Sequence, residues 1–119
     1  MQKLILLTTG PTNWDDYTKI SIEMVEETFT YNDVTVIHGG RMGAESEIDT
    51  IADELGFRVV QIPPGPAQLF NMLKTTHDLA RMVTADRACL AFWDGVCQDT
   101  LALISGATAG GIDVRVVAK

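Results

Sequence analysis

The chain has only two cysteines, Cys89 and Cys97, and that scarcity excludes a fold stapled by a disulfide framework. Neither has zinc-site spacing or a pair of histidines nearby. Both read as reduced thiols, Cys89 inside an alternating apolar run and Cys97 in a glycine-bearing loop where exposure is expected. Basic residues are also scarce. Nine Lys and Arg against 16 Asp and Glu leave a formal net charge of −7, so a general surface for neutralising phosphates is missing and nucleic acid is not an expected partner. A small anion held by local backbone donors stays open. No apolar run approaches the roughly 20 residues of a membrane span, and Met1-Gln2-Lys3 leads into a strand-like run without a small-residue cleavage pattern. A cytoplasmic protein with no membrane partner is expected.

Two well-known nucleotide motifs are absent too. Gly39-Gly40-Arg41-Met42-Gly43 lacks the G-x-G-x-x-G spacing, and no Walker lysine follows any glycine loop. There is no internal repeat and no low-complexity tract.

What is present is an alternation of strand-like and helix-like patterns. With 119 residues, 46% of them hydrophobic, the chain suits one compact domain, 1–119, burying roughly 65% of its unfolded surface. Strands are expected at Lys3 to Thr8, Val34 to Ile37, Phe57 to Ile62, Ala88 to Phe92 and Val114 to Val117. Between the first two, Tyr17, Ile20, Met24 and Val25 recur at helical spacing, with Asn13 as the expected cap and Asp15 and Asp16 in the first turn. A second helix begins near Gly43 and buries Ile48, Ile51, Ala52 and Leu55, with Gly56 ending it in a left-handed conformation. Pro63-Pro64-Gly65-Pro66 breaks regular structure and introduces a third, striped by Leu69, Met72, Leu73, Leu79 and Val83. The fourth covers Thr100 to Thr108, with Leu101, Ile104 and Ala107 inward. Five strands separated by four helices imply an α/β fold: a Rossmann-like three-layer sandwich around a parallel sheet, with expected order 3-2-1-4-5.

In such a sheet the ligand lies beyond the carboxyl ends of the strands, where the order reverses. Three strand-to-helix junctions meet there: Thr9-Gly10 with Asn13, Gly39-Gly40-Arg41 through Gly43, and Trp93-Asp94-Gly95 through Thr100. Glycine permits positive φ and removes the Cβ that would hold a ligand off backbone N–H groups. The helix that follows offers unpaired donors to an anion. The bland alternative is that these are ordinary tight turns.

The order Thr9-Gly10 with Asn13-Trp14, His38-Gly39-Gly40 through Gly43-Ala44-Glu45, Asp86 before Ala91-Phe92, a Gly95 to Thr100 loop, and Ala109 to Val114 resembles the YspA-like branch of the SLOG superfamily. These are small Rossmann-like proteins related to the Smf and LOG families, many encoded by bacteria and their phages. The resemblance spans nearly the whole chain. It implies a five-stranded Rossmann-like fold, a nucleotide or nucleotide-derived ligand at the glycine loops, and a homodimer. Several positions depart from the family pattern. Thr12 stands where Arg is frequent, Glu45 where Asp is usual, and no Arg-Asn pair is evident around Asp78-Leu79. In the LOG phosphoribohydrolases a Gly-Thr pair precedes glutamates, whereas here Asp99-Thr100 precedes Leu101-Ala102-Leu103. The resemblance therefore implies binding more directly than catalysis.

Each candidate has a competing role. Arg41 is the best local cation for a phosphate, or a solvated loop arginine. Thr100 can donate to a phosphate or cap its helix. Trp14 and Trp93 can stack on a base or anchor the core. His38 can touch a ligand or be a satisfied side chain at a strand end, and His77 has no evident partner. Glu45 and Asp94 are the acids available for general acid–base work. Asp94 and Asp99 repel a phosphate unless compensated, and the two together can hold Mg²⁺ between loop and phosphate. Two functions are thus weighed, a nucleotide-binding module and an enzyme that cleaves an N-glycosidic bond, with an interaction protein that uses the fold as scaffold as a third. The apolar stripe of the third helix, with Phe70 and Met82, adds a homodimer interface to the expectations.

Overall fold

A computed structural model describes residues 2–14 and 16–118. The elements in chain order are β1 (Lys3–Thr9), α1 (Tyr17–Thr28), β2 (Asp33–His38), α2 (Ala44–Glu54), β3 (Arg58–Gln61), α3 (Gln68–Val83), β4 (Asp86–Trp93), α4 (Gln98–Ala109) and β5 (Asp113–Ala118). All four strand pairings are parallel, and the sheet order is β3-β2-β1-β4-β5. This is the expected architecture, with β1 at the centre.

Strand alternation distributes the core between two layers. Leu4 and Leu6 of β1, Val34 and Val36 of β2, and Leu90 and Phe92 of β4 point toward α1 and α2, where Ile20, Met24, Ile48 and Ile51 meet them. Ile5, Leu7, Ile37, Cys89 and Ala91 point the other way, onto Met72 and Ala80 of α3 and Leu103 and Ala107 of α4. Both faces of the central strands are therefore apolar, as a covered parallel sheet requires. Leu4 to Leu7 are all buried, and truncating one of them to Ala should cost about 2–5 kcal/mol.

The local endings differ from the sequence reading in four places. Asp16, not Asn13, caps α1, its side chain accepting from Lys19 N at 3.1 Å; Asp15 lies outside the described residues. Helix α4 starts at Gln98 rather than Thr100, because Cys97 is already its N-cap. Leu55 follows α2 and is exposed rather than buried, while Gly56 does take the left-handed conformation at φ +77°. In α3 the residues set deepest are Met72, Thr76 and Ala80, with Leu69 and Val83 at the margin. The buried Thr76 hydroxyl is satisfied within the helix by Met72 O at 2.8 Å.

Candidate functional site

The strand order changes direction between β1 and β4, so their following loops part and leave a crevice at the carboxyl edge. A cleft of about 270 Å³ lies there. Thr9, Arg41, Glu45, Gln68 and Asp99 form its polar side, Leu69, Met72 and Leu103 its apolar wall, and Gly65-Pro66 of the β3–α3 loop its rim.

Arg41 organises the polar side. Its Nε donates to Glu45 Oε2 at 2.7 Å, Nη2 to Gly10 O at 2.8 Å and Nη1 to Asp99 Oδ2 at 3.1 Å. One guanidinium, on the loop after β2, thus joins the loop after β1 to the first turns of α2 and α4. Glu45 is 1% exposed, and its other oxygen accepts from Gly39 N at 2.7 Å. It sits in the first turn of α2, where the helix dipole favours a negative charge. Burial pulls the Arg41 guanidinium toward deprotonation, but the Glu45 hydrogen bond and charge outweigh it and hold the arginine cationic.

Around this pair both glycines of the β2–α2 loop, Gly39 and Gly40, are tied to neighbouring side chains. Gly40 N donates to His38 Nδ1 at 2.9 Å, which leaves the proton on Nε2, 2.8 Å from Asp49 Oδ1. His38 is buried and so serves the loop's shape. Gln68 Nε2 donates to Gly39 O at 2.8 Å and Ile62 O at 3.0 Å, tying the start of α3 to the same loop.

The β4–α4 loop is built around Asp94. Its Oδ1 accepts from Val96 N at 2.9 Å and Cys97 N at 2.8 Å. These two backbone bonds outweigh the opposing effect of burial and, with help from the Asn13 side chain, hold the carboxyl below its ordinary value. Trp93 Nε1 donates to Cys97 O at 3.1 Å. Burial pushes the Cys97 thiol up, but hydrogen bonds from Thr100 and the charge of Arg41 bring it below the ordinary thiol value. Cys97 is the site residue that the sequence reading undervalued. Its signal was position: a cysteine one residue before a helix meets unpaired N–H groups.

Of the residues singled out from sequence, Thr9, Arg41 and Glu45 face the cleft. Asn13, Trp93, Asp94, Gly95 and Thr100 gather in and beside the adjoining β4–α4 loop. Trp14 is the core anchor of its two alternatives: it is 2% exposed and packs edge-to-face on Phe92, ring centroids 5.5 Å apart. The glycines also differ from the reading in what approaches them. A Cβ on Gly10 would overlap Ala44 Cβ, and one on Gly43 would overlap Thr12 O. On Gly39 it would meet Gln68 Nε2 at 2.7 Å and Glu45 Oε1 at 2.8 Å, and on Gly40 the Gln61 side chain. The space that glycine opens in the first two loops is filled by the protein itself. Gln68 and the Gly65-Pro66 rim carry no recognisable motif, and the proline run after β3 signals only a break in regular structure ahead of the third helix.

Asp94 and Asp99, weighed as holders of Mg²⁺, have other partners, backbone N–H groups and Arg41 respectively. Among the described residues no group of three or more His, Cys, Asp or Glu is placed to hold a metal ion, nor is any helix long and apolar enough to cross a membrane. A crevice of about 610 Å³ at the opposite edge is lined by Glu27, Tyr31, Asp86, Arg87, Asp113 and Arg115. There Arg115 binds Glu23 and Glu27, and Tyr31 OH donates to Asp86 at 2.9 Å. It reads as a cross-link between α1 and the outer strands.

Fold and cleft together define a Rossmann-like α/β protein with its polar site at the switch point. No family model matches the chain, and no curated protein matches it. Among solved structures it is similar to a de novo designed P-loop fold protein determined by solution NMR. The two share 16% identity over 100% of this chain and 83% of that one, at a TM-score of 0.49. That likeness is too slight to carry an argument about function.

Proposed function

We propose that the protein binds a nucleotide or nucleotide-derived small molecule in the cleft at the carboxyl edge of its sheet. The observation that carries this reading is Arg41, a cation fixed on the cleft wall facing Leu69, Met72 and Leu103. A phosphate suits the charged end and a base or sugar the apolar one. The first N–H groups of α4, beside Asp99, add donors with no partner inside their own helix. The sheet order and the three glycine loops are also what the YspA-like branch of the SLOG superfamily would present, and we propose membership on that ground.

Binding is favoured over N-glycosidic cleavage by the state of the two acids. Both Glu45 oxygens are taken by Gly39 N and Arg41 Nε, and Asp94 Oδ1 accepts from two backbone N–H groups, so both carboxylates are committed to holding the loops. Calorimetry with AMP and adenosine, on wild type and Arg41→Ala, tests the reading. AMP should bind wild type more tightly than adenosine does, and the variant should lose that preference. Wild type that binds neither compound sinks it.

We further propose that the protein acts as a homodimer through α3. That helix leaves Phe70 and Met82 exposed, and beside it an apolar groove opens between Leu79 and Val83 and the β3 valines Val59 and Val60. Sedimentation as a 13.0 kDa monomer at micromolar concentration would contradict it.

A further inference from the structure

The three partners of Arg41 are not held equally. Glu45, in the first turn of α2, and Gly10, in the loop after β1, are buried and accept at 2.7 and 2.8 Å. Asp99, whose own side chain is 84% exposed, accepts from Arg41 Nη1 at 3.1 Å, and among the described residues Arg41 is its one ion-pair partner. An exposed pair of this kind is weak, because water and salt screen it and ordering the side chain costs entropy. One of the three bonds is therefore easily exchanged.

We infer that Asp99 occupies the place of a ligand's anionic group on Arg41, so that the cleft takes anions by exchange and prefers phosphomonoesters to phosphodiesters. The inference rests on the nucleotide-binding reading of the same cleft. With Asp99 in place, the polar side carries one positive and two negative charges, Arg41 against Glu45 and Asp99. An anion arriving beside Asp99 meets net repulsion. Turning Asp99 into solvent leaves Arg41 balanced by Glu45 and frees Nη1 to donate to an incoming anion. A phosphodiester brings one negative charge, no more than the carboxylate it must displace, and the tethered carboxylate competes at high effective concentration. A phosphomonoester brings nearly two charges and three acceptor oxygens near neutral pH. It can take Nη1 and the α4 N–H groups together.

The test uses inorganic phosphate, AMP as a phosphomonoester and cyclic AMP as a phosphodiester, on wild type and Asp99→Asn. Phosphate binding is followed by the NMR resonance of Arg41 Nε–H and the nucleotides by calorimetry. Asp99 is exposed and holds no core contact, so the variant should keep the wild-type spectrum elsewhere. Asp99→Asn should bind phosphate and AMP about fivefold more tightly, the factor such an exposed pair is worth, and the preference for AMP over cyclic AMP should narrow. Equal AMP affinity in both proteins overturns the exchange while leaving nucleotide binding intact. Phosphate that shifts Arg41 more readily in the variant, with AMP binding to neither, keeps the exchange and sinks the nucleotide reading. Arg41 signals unmoved by phosphate in both proteins overturn the exchange outright. Weaker AMP binding in the variant, with Mg²⁺ dependence in wild type, also overturns it, because Asp99 would then be bridging through a metal.

Discussion

The loops after β1 and β2 and the loops after β3 and β4 all contain glycine, yet the residue does different work in each pair. Gly10 and Gly43 sit where two backbones touch: Ala44 N donates to Pro11 O at 3.2 Å, and a Cβ on either glycine would overlap the other loop. Gly65 and Gly95 have φ of +145° and +89° with nothing within 4 Å of a built Cβ. The first pair of loops is joined by close approach. In the second pair the glycines answer a demand of backbone conformation, and open space lies beside them. Rigidity lies on one side of the crevice and access on the other, which is how a fixed cation such as Arg41 can face an approachable helix end.

The sharpest way to break this contrast is to add one methyl group to each side. Gly43→Ala combines a left-handed φ of +78° with a backbone overlap that no rotamer relieves, and should destabilise by about 4 kcal/mol or more. Gly95→Ala meets only the conformational penalty, about 1 to 2 kcal/mol. Urea denaturation of both variants measures the difference. Equal losses would mean that the two loop pairs are not built differently. By the same reasoning Gly40→Val should strain the loop and displace Gln61, lowering stability along with any binding.

Arg41 sharpens the comparison from the rigid side. Removing it leaves Glu45, 1% exposed, with one oxygen facing no cation. Breaking a buried pair costs about 3 to 5 kcal/mol, and less here because Arg41 itself is 22% exposed. Arg41→Ala should therefore lose about 2 to 3 kcal/mol. Adding Glu45→Gln should recover part of that loss, since a neutral amide tolerates the site better than an unpaired charge. A double variant that is less stable than Arg41→Ala would show that Glu45 is held chiefly by Gly39 N.

The division between legible and illegible features follows the same line. Leu4 to Leu7 announced the central strand by an unbroken apolar run, and alternation of strands with helices fixed a parallel sheet with its crevice between β1 and β4. Those inferences need only local pattern and the handedness of crossovers. Local pattern does not say which atoms lie 3 Å away. That Gly10 faces Ala44, that Gln68 reaches Gly39, and that Trp14 turns inward onto Phe92 are outcomes of tertiary packing. Arg41 and Glu45 could be named as candidates, but their mutual bond depends on where the second helix begins.

The two thiols provide a chemical version of the contrast between core and open loop. Burial pushes Cys89 up to about 12, whereas Cys97 lies below the ordinary thiol value at the start of α4. Iodoacetamide at neutral pH should label Cys97 and leave Cys89 untouched until denaturant is added. Thr100→Val should slow the labelling of Cys97, because it removes the hydroxyl that donates to the sulfur at 3.3 Å. Labelling of Cys89 at the rate of Cys97 would show that the sheet opens readily.

The smallest expected effect belongs to Asp94, on the open side. Its folded-state pKa is depressed by Val96 N and Cys97 N, so the stability it contributes is present above its unfolded value and lost as pH falls through the folded one. The affected window therefore lies in the acid limb, below about pH 4. Asn at this position keeps an oxygen for the same two N–H groups but cannot titrate. Asp94→Asn should melt slightly below wild type at neutral pH, and the gap should close as the pH is lowered through that window. A gap that persists unchanged into acid would mean that the carboxylate's charge adds nothing to the turn, and that the β4–α4 loop is held by hydrogen-bond geometry alone.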